Sequence, residues 1–128
     1  GEGPTILGDG SEAFDFIAVE DCGSANICAM QANTTDQNYN VGTGIRTSLK
    51  ELAEIIIKIT GCDKKINFEP RSQATLVKNR VGDPYKAKKE LNFKAKINLE
   101  DGLRKLIKWR SAHKAKLDKQ NQNARTKI

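Results

Sequence analysis

A capped and strongly apolar helix in the middle of the chain limits the folds that are open to this sequence. Ser48 and Glu51 form an S-x-x-E capping box, which predicts a helix start, and Gly61 predicts its end. Between them, apolar side chains cover much of the helix circumference: Leu49, Leu52, Ala53, Ile55, Ile56, Ile57 and Ile59. Such a helix must be covered by other elements on more than one side.

Shorter patterns on both sides of this helix predict a mixed α/β fold. Branched or aromatic alternation and turn residues predict strands at residues 5–7, 14–19 and 65–70, the last with Ile66 and Phe68 inward, and a short strand in residues 38–44 that runs into a glycine-rich turn. Further helices are expected after the N-cap residues Asp21, Asp83 and Asn98. A polar connection of residues 71–78 precedes the Asp83 helix. The fold class is therefore α/β, with short strands and about four helices.

The net charge of +6 hides an asymmetry along the chain. Up to Thr60 there are 3 Lys and Arg against 9 Asp and Glu, and from Gly61 onward there are 19 against 7. The basic half favours anionic partners such as phosphates or nucleic acid, although a solvated basic face is the simpler interpretation. Residues 111–128 lack apolar periodicity beyond Leu117, so we expect a basic, flexible tail after one domain of residues 1–110.

The sequence contains no apolar run near the roughly 18–20 residues that cross a bilayer, and its N-terminus lacks signal-peptide features. We expect a cytoplasmic protein that does not bind membranes. Cys22, Cys28 and Cys62 have no metal-like spacing, and His113 stands alone among lysines. No metal site is expected.

The residue pattern alone supplies no catalytic machinery. A Ser/His/Asp set and the glycine-rich dinucleotide fingerprint are both absent from the sequence. Gly42-Thr43-Gly44 matches G-x-G only, which favours a simple turn before the Ser48 helix over a phosphate-binding loop. These observations predict a binding module for an anionic ligand.

The segment "NRVGDPYKAKKELNF", which begins at Asn79, contains the most suggestive polar pair. Arg80 and Asp83 lie three residues apart on a predicted tight turn at a helix entrance. A guanidinium pairs with phosphate oxygens and a carboxylate accepts from vicinal hydroxyls, so the pair suits a nucleotide. Alternatively, Asp83 only caps the helix and Arg80 is a surface cation.

Four segments in the same order resemble one protein family: "ILGDGSEAFDFIAVEDCGSAN", "YNVGTGIRTSLKELAEII", "NRVGDPYKAKKELNF" and "INLEDGLRKLIKW". Together they are similar to the C-terminal part of the extended short-chain dehydrogenases/reductases. Within these, the NAD-dependent sugar-nucleotide epimerases and dehydratases resemble the chain, UDP-glucose 4-epimerase-like members above all. The resemblance spans about residues 4–110.

The resemblance implies a division of labour between two lobes. In this family an N-terminal Rossmann lobe binds NAD and holds the catalytic residues, so no catalytic or cofactor-binding residue is expected in this chain. The C-terminal part binds a nucleoside-diphosphate sugar such as UDP-glucose, and the intact protein is expected to be a homodimer. Apolar surface that packs on the absent lobe is expected to be exposed.

The resemblance also implies site roles, residue by residue. Arg80 and Asp83 match an R-x-G-D turn whose arginine contacts the pyrophosphate and whose aspartate contacts the ribose. Thr5 and Leu7 are expected beside the base, the latter where relatives often carry an aromatic residue. Phe14 stands where many relatives have a second phosphate-binding arginine. Arg46, Lys78 or Arg71 could replace that arginine, or the nucleotide is held more weakly or in a different pose.

Two other functions remain open on the sequence. The basic half also suits a stand-alone nucleic-acid-binding module, but aromatic residues are only 5% of the chain and no motif for base stacking is present, so nucleic acid is an unlikely partner. The chain could also be a non-catalytic relative that serves as a partner or regulator.

Overall fold

A computed structural model describes residues 3–71 and 77–125, with side chains described up to residue 114 in the last helix. The helices in these ranges are α1 (Val19–Gln31), α2 (Leu49–Thr60), α3 (Tyr85–Leu91) and α4 (Leu99–Arg125). The strands are β1 (Thr5–Leu7), β2 (Ala13–Phe14), β3 (Thr47–Ser48), β4 (Asn67–Glu69) and β5 (Asn79–Arg80). The predicted α/β class and the four helices are confirmed.

The strands form two small sheets. β1 pairs with β4 in parallel, with Ile6 opposite Phe68. In the second sheet β2 lies in the centre, antiparallel to β3 and parallel to β5. Since β3 leads directly into α2 and β5 precedes the turn before α3, this second sheet fixes where both helices begin.

Two strand predictions were wrong in their bounds. The strand predicted at residues 14–19 ends at Phe14, and α1 already begins at Val19. The strand predicted at residues 38–44 is irregular, because no strand in the described ranges lies beside it to accept and donate the ladder hydrogen bonds. In β4, Phe68 was predicted inward but is 45% exposed.

Asp21 does not cap α1, contrary to the prediction. The N-cap is Ala18, and Asp21 lies in the first turn with only 3% of its surface exposed. Its carboxylate accepts hydrogen bonds from the backbone N–H groups of Lys96, at 3.1 Å to each oxygen, and Ile97, at 2.9 Å. Asp21 therefore fixes the segment that leads into α4.

The limits of α2 are those that the sequence predicted. Ser48 Oγ accepts from the Glu51 N–H at 3.1 Å, and Glu51 Oε2 accepts from the Ser48 N–H at 2.7 Å, so the capping box is complete. Gly61 ends the helix at φ 64°, a left-handed conformation that favours glycine. The two hydrogen bonds satisfy donors that a helix start leaves without intrahelical partners.

The last two helices begin close to the predicted positions. The N-cap of α3 is Pro84, one residue after the predicted Asp83. Asn98 caps α4 as predicted, since its Oδ1 accepts from the Asp101 N–H at 2.9 Å. Because α4 remains helical to Arg125, no break in secondary structure occurs after residue 110, where the basic tail was predicted to begin. The flexibility of that tail stays a prediction, and residues 72–76 of the predicted polar connection lie outside the described residues.

A small core joins α1 to α3 and the segment after it. The buried residues are Ala25, Ala87, Leu91 and Phe93, and half-buried apolar neighbours surround them. Several large apolar side chains remain exposed, including Val19 at 79% and Met30 at 85% on α1. Exposed apolar surface was expected if further chain covers this part of the protein. Within the described ranges, no helix is both long enough and apolar enough to cross a membrane.

Candidate functional site

The register of β2 and β5 brings two predicted site residues together. Phe14 lies directly opposite Arg80, and the Asp15 N–H donates to the Arg80 carbonyl at 3.0 Å. Thr47 of β3 flanks Phe14 on the other side. Residues directly opposite each other project from the same face of a sheet, so Phe14, Thr47 and Arg80 form one cross-strand row.

The guanidinium of Arg80 is available to a ligand. Arg80 is exposed, and no described residue forms a hydrogen bond or ion pair with its side chain. An arginine carries a permanent charge and five N–H donors in a planar fork that matches phosphate oxygens. The position can therefore bind an anion without first breaking a contact inside the described part of the chain.

Asp83 follows Arg80 on the turn into α3 and keeps one oxygen available. Its Oδ1 accepts from the Tyr85 N–H at 2.9 Å, which satisfies a donor at the helix start. Its Oδ2 is not engaged by any described residue. The hydrogen bond to the Tyr85 N–H and contact with a ligand are therefore compatible at this carboxylate.

Thr5 and Leu7 belong to the other sheet, so strand pairing does not join them to the turn of residues 80–83. The side chain of Arg71 bridges the two sheets. Its Nη2 and Nε donate to the Leu7 carbonyl at 2.7 and 3.2 Å, and its Nη1 lies 3.0 Å from Glu12 Oε1. Arg71 thereby ties the end of β1 to the residue before β2.

The cations that could replace an arginine at Phe14 differ in their surroundings. Arg46 Nε donates to Asn79 Oδ1 at 2.9 Å. Asn79 projects from the other face of the sheet, not from the face that carries the Arg80 side chain. Arg71 is already engaged by Leu7 and Glu12. Hydrogen bonds from Ser11 lower the pKa of Asp9, and the charge of Lys78 adds a smaller effect. None of the three lies in the Phe14 row.

The Gly42-Thr43-Gly44 turn is filled by a carboxylate of the chain itself. Asp15 Oδ1 accepts from Thr43 Oγ1 at 2.5 Å and from the Thr43 N–H at 3.0 Å, and its Oδ2 accepts from the Gly44 N–H at 2.8 Å. A Cβ on Gly42 would overlap Asp15 Oδ2. The donors of this turn therefore do not fit a cofactor phosphate.

Known proteins match most of the chain. The family model described as GDP-mannose 4,6 dehydratase matches residues 1–106. The chain belongs to the GDP-mannose 4,6 dehydratase family. This confirms the predicted membership among nucleotide-sugar epimerases and dehydratases.

Two of the proteins similar to this chain are 4-epimerases. The putative UDP-glucose 4-epimerase of Methanocaldococcus jannaschii is 33% identical over 114 residues, which are 84% of this chain and 34% of that protein. UDP-arabinose 4-epimerase 1 of Arabidopsis thaliana is 37% identical over 109 residues, 83% of this chain and 26% of that protein. The chain thus spans about a third or less of the length of these relatives.

Solved structures agree with this placement in the family. The Thermotoga maritima UDP-glucose 4-epimerase with UDP-glucose has a TM-score of 0.75 and 34% identity, over 80% of this chain and 33% of that one. The Bordetella bronchiseptica enzyme WbmF in complex with NAD+ and UDP has a TM-score of 0.79 and 32% identity, over 98% of this chain and 38% of that one. The fold of this chain therefore matches part of the fold of each of these two larger proteins.

The prominent cavity of the described region is not at the candidate site. An apolar groove of about 800 Å³ lies between α2 and α4 and is lined in part by Leu52, Ile56, Leu103 and Trp109. The turn of residues 80–83 lines neither this groove nor a smaller cavity beside Phe93. This chain spans only about a third of the length of its relatives. The candidate site is therefore assigned from the chemistry of the turn and not from the size of a cavity.

Sequence reasoning missed Asp15 altogether. Its partners Thr43 and Gly44 are 28 and 29 residues away in the chain. The available signal was a Gly-x-Gly turn with backbone donors that required an acceptor. Several carboxylates could have supplied it, and only the fold selects Asp15.

Proposed function

We propose that this chain is the C-terminal, sugar-nucleotide-binding portion of an NAD-dependent epimerase/dehydratase, most like the UDP-glucose 4-epimerases. The observation that carries the proposal is the exposed Arg80 guanidinium, not engaged by any described residue, three residues before the partly available Asp83 carboxylate. Family membership over residues 1–106 and the UDP-sugar epimerases among the relatives support it.

In this proposal each site residue has one task. Arg80 pairs with the pyrophosphate, where a bidentate guanidinium contact provides both charge and orientation. Asp83 accepts from the ribose hydroxyls through Oδ2 while Oδ1 continues to bind the Tyr85 N–H. Thr5 and Leu7 lie beside the base, and Phe14 provides an apolar neighbour to Arg80.

NAD and the catalytic residues are assigned to protein outside this chain, because the dinucleotide fingerprint is absent from the sequence and Asp15 fills the Gly42-Thr43-Gly44 turn. NAD supplies hydride transfer when it is bound. We therefore propose that the chain alone is inactive, and that the whole protein is a cytoplasmic homodimer acting on a nucleoside-diphosphate sugar such as UDP-glucose.

Titration of UDP into the chain tests the site. Loss of a hydrogen-bonded guanidinium costs about 1.5–3 kcal/mol, so Arg80→Ala should weaken UDP binding by about 10- to 100-fold. Arg104→Ala is the matched control, since Arg104 is exposed on α4 and pairs only with Glu100 among described residues. Equal UDP affinity of wild type and Arg80→Ala would contradict the proposed site.

The activity itself requires the whole protein. We expect it to convert a UDP-sugar with bound NAD, and Arg80→Ala to raise the KM for that sugar nucleotide. Failure of the intact protein to convert any nucleoside-diphosphate sugar would refute the enzymatic part of the proposal and leave the binding result to stand separately.

A further inference from the structure

Asp15 lies between the two segments that hold the turn of residues 80–83. Its backbone N–H donates to the carbonyl of Arg80 at 3.0 Å. Its carboxylate accepts three hydrogen bonds from Thr43 and Gly44, at 2.5, 2.8 and 3.0 Å. One residue thus fixes the strand that carries Arg80 and the glycine turn beside it.

The glycine turn in turn packs on the residues that follow Arg80. A Cβ placed on Gly44 would lie 3.2 Å from Pro84 Cδ, so the Gly44 backbone contacts the proline after Asp83 closely. Gly44 has φ 74°, which disfavours other residues there. A Cβ placed on Gly82 would lie 3.6 Å from Asn40 Cβ, so the segment before the glycine turn lies against the middle of the 80–83 turn.

These contacts form a short physical path from one carboxylate to the ligand groups. Asp15 holds Thr43 and Gly44, Gly44 abuts Pro84, and Pro84 adjoins Asp83. Without Asp15, two backbone N–H groups lose their acceptor, and the glycine turn has no other described side chain that accepts from them. Water would then solvate those N–H groups and the turn would sample other conformations.

We propose that Asp15 is a positioning residue for the nucleotide, which sets the placement of Arg80 and Asp83 without touching the ligand. This inference rests on the proposed function, because it assumes that the 80–83 turn binds the nucleoside diphosphate. It extends that function to a residue whose carboxylate is already engaged by Thr43 and Gly44. Preorganisation of this kind strengthens binding by removing the cost of ordering the site.

The chain offers a matched control for a merely structural role. Asp21 also accepts from the backbone N–H groups of two consecutive residues, but these belong to the segment before α4. Asp15→Asn and Asp21→Asn should both lower the urea midpoint. Only Asp15→Asn should weaken UDP binding, by at least about fivefold, the lower end of typical couplings between separate positions. Titration of UDP monitored by NMR measures both affinities on the folded fraction.

A double-mutant cycle gives the decisive readout. The Asp15 carboxylate reaches the site through Gly44, Pro84 and Asp83, so Asp15→Asn should have little further effect on UDP affinity in the Asp83→Ala background. Thr43→Val removes the hydroxyl bond to Asp15 together with the bond that this hydroxyl accepts from the Ile45 N–H, and it serves if Asp15→Asn fails to fold; it should weaken UDP binding by a smaller factor.

The outcomes separate the two proposals. Unchanged UDP affinity in Arg80→Ala refutes the proposed site itself. If Arg80→Ala clearly weakens UDP binding but Asp15→Asn binds UDP like the wild type, only the role of Asp15 is overturned. The same conclusion follows if Asp15→Asn and Asp21→Asn weaken UDP binding equally. Equal effects of Asp15→Asn with and without the Asp83 carboxylate also overturn it.

Discussion

Removal of the Asp21 carboxylate tests whether long-range hydrogen bonds hold this small fold together. Asp21 is 3% exposed, and its two oxygens accept from Lys96 and Ile97. A hydrogen bond to a charged group contributes about 1.5–3 kcal/mol, which sets an upper range of roughly 3–6 kcal/mol for the two donors. Lys96 is an exposed residue, so water can solvate its N–H once the carboxylate is gone.

We therefore expect Asp21→Ala to lower the free energy of unfolding by about 2–3 kcal/mol. With a urea m-value of roughly 2 kcal/mol/M, the unfolding midpoint should fall by about 1–1.5 M. Asp21→Asn keeps one acceptor oxygen but loses the negative charge in the first turn of α1, so we expect a smaller loss of about 1 kcal/mol. Circular dichroism during urea unfolding measures both changes.

The control for this experiment is Asp63→Ala, which removes an exposed carboxylate 3.8 Å from Lys64 Nζ. An exposed pair of this kind contributes little, so the midpoint should stay within about 0.3 M of wild type. If Asp21→Ala shifts the midpoint no more than Asp63→Ala does, the bonds to Lys96 and Ile97 do not stabilise the fold. If Asp21→Asn lowers the free energy of unfolding as much as Asp21→Ala does, the stabilisation comes from the negative charge and not from the number of acceptor oxygens.

Two further predictions concern the helix cap and the ligand face. Ser48→Ala should cost about 1 kcal/mol in urea unfolding, because it removes the acceptor of the Glu51 N–H. The Ser48 hydroxyl also donates to Glu51 Oε2, and this bond, followed by that from the Ser48 N–H, lowers the pKa of Glu51 below its ordinary value of 4.5. The stabilisation from these bonds to the carboxylate is complete above that pH and is lost as pH falls through the folded-state pKa. The Ser48→Ala deficit should therefore shrink in acid, and a pH-independent deficit would contradict the assignment. Phe14→Arg adds a guanidinium in the Arg80 row, which should destabilise the free chain by like-charge repulsion yet tighten UDP binding with a steeper salt dependence, whereas Phe14→Leu should do neither.

Features encoded within a few residues were predictable from the sequence. The limits of α2 follow from Ser48, Glu51 and Gly61, which act on backbone groups of their own helix. Asn98 caps α4 for the same reason. The wide apolar face of α2 predicted cover on more than one side; its apolar side chains are buried or half-buried, and Leu52 and Ile56 line the groove between α2 and α4.

Features that depend on distant partners were not predictable in the same way. Residues 38–44 have strand-like side chains, but a strand exists only where a neighbour completes its hydrogen bonds, and the described chain has none there. Asp21 is of a residue type that favours N-cap positions, yet its carboxylate oxygens accept hydrogen bonds from N–H groups 75 and 76 residues away. Local propensity is a weak guide wherever tertiary hydrogen bonds compete with it.

The same distinction explains the candidate site. Arg80 and Asp83 could be predicted as a pair because their motif is contiguous. The pairing of Arg80 with Phe14 and the hydrogen bond that Asp15 accepts from the Gly44 N–H exist only in the folded chain. A substitution at Phe14 changes which charges face the ligand, while one at Asp15 changes where those charges lie. Sequence comparison can detect the first kind of change, but the second becomes visible only through contacts. In the proposed site, nucleotide affinity therefore depends on the glycine turn and the Asp15 carboxylate as well as on the residues proposed to touch the nucleotide.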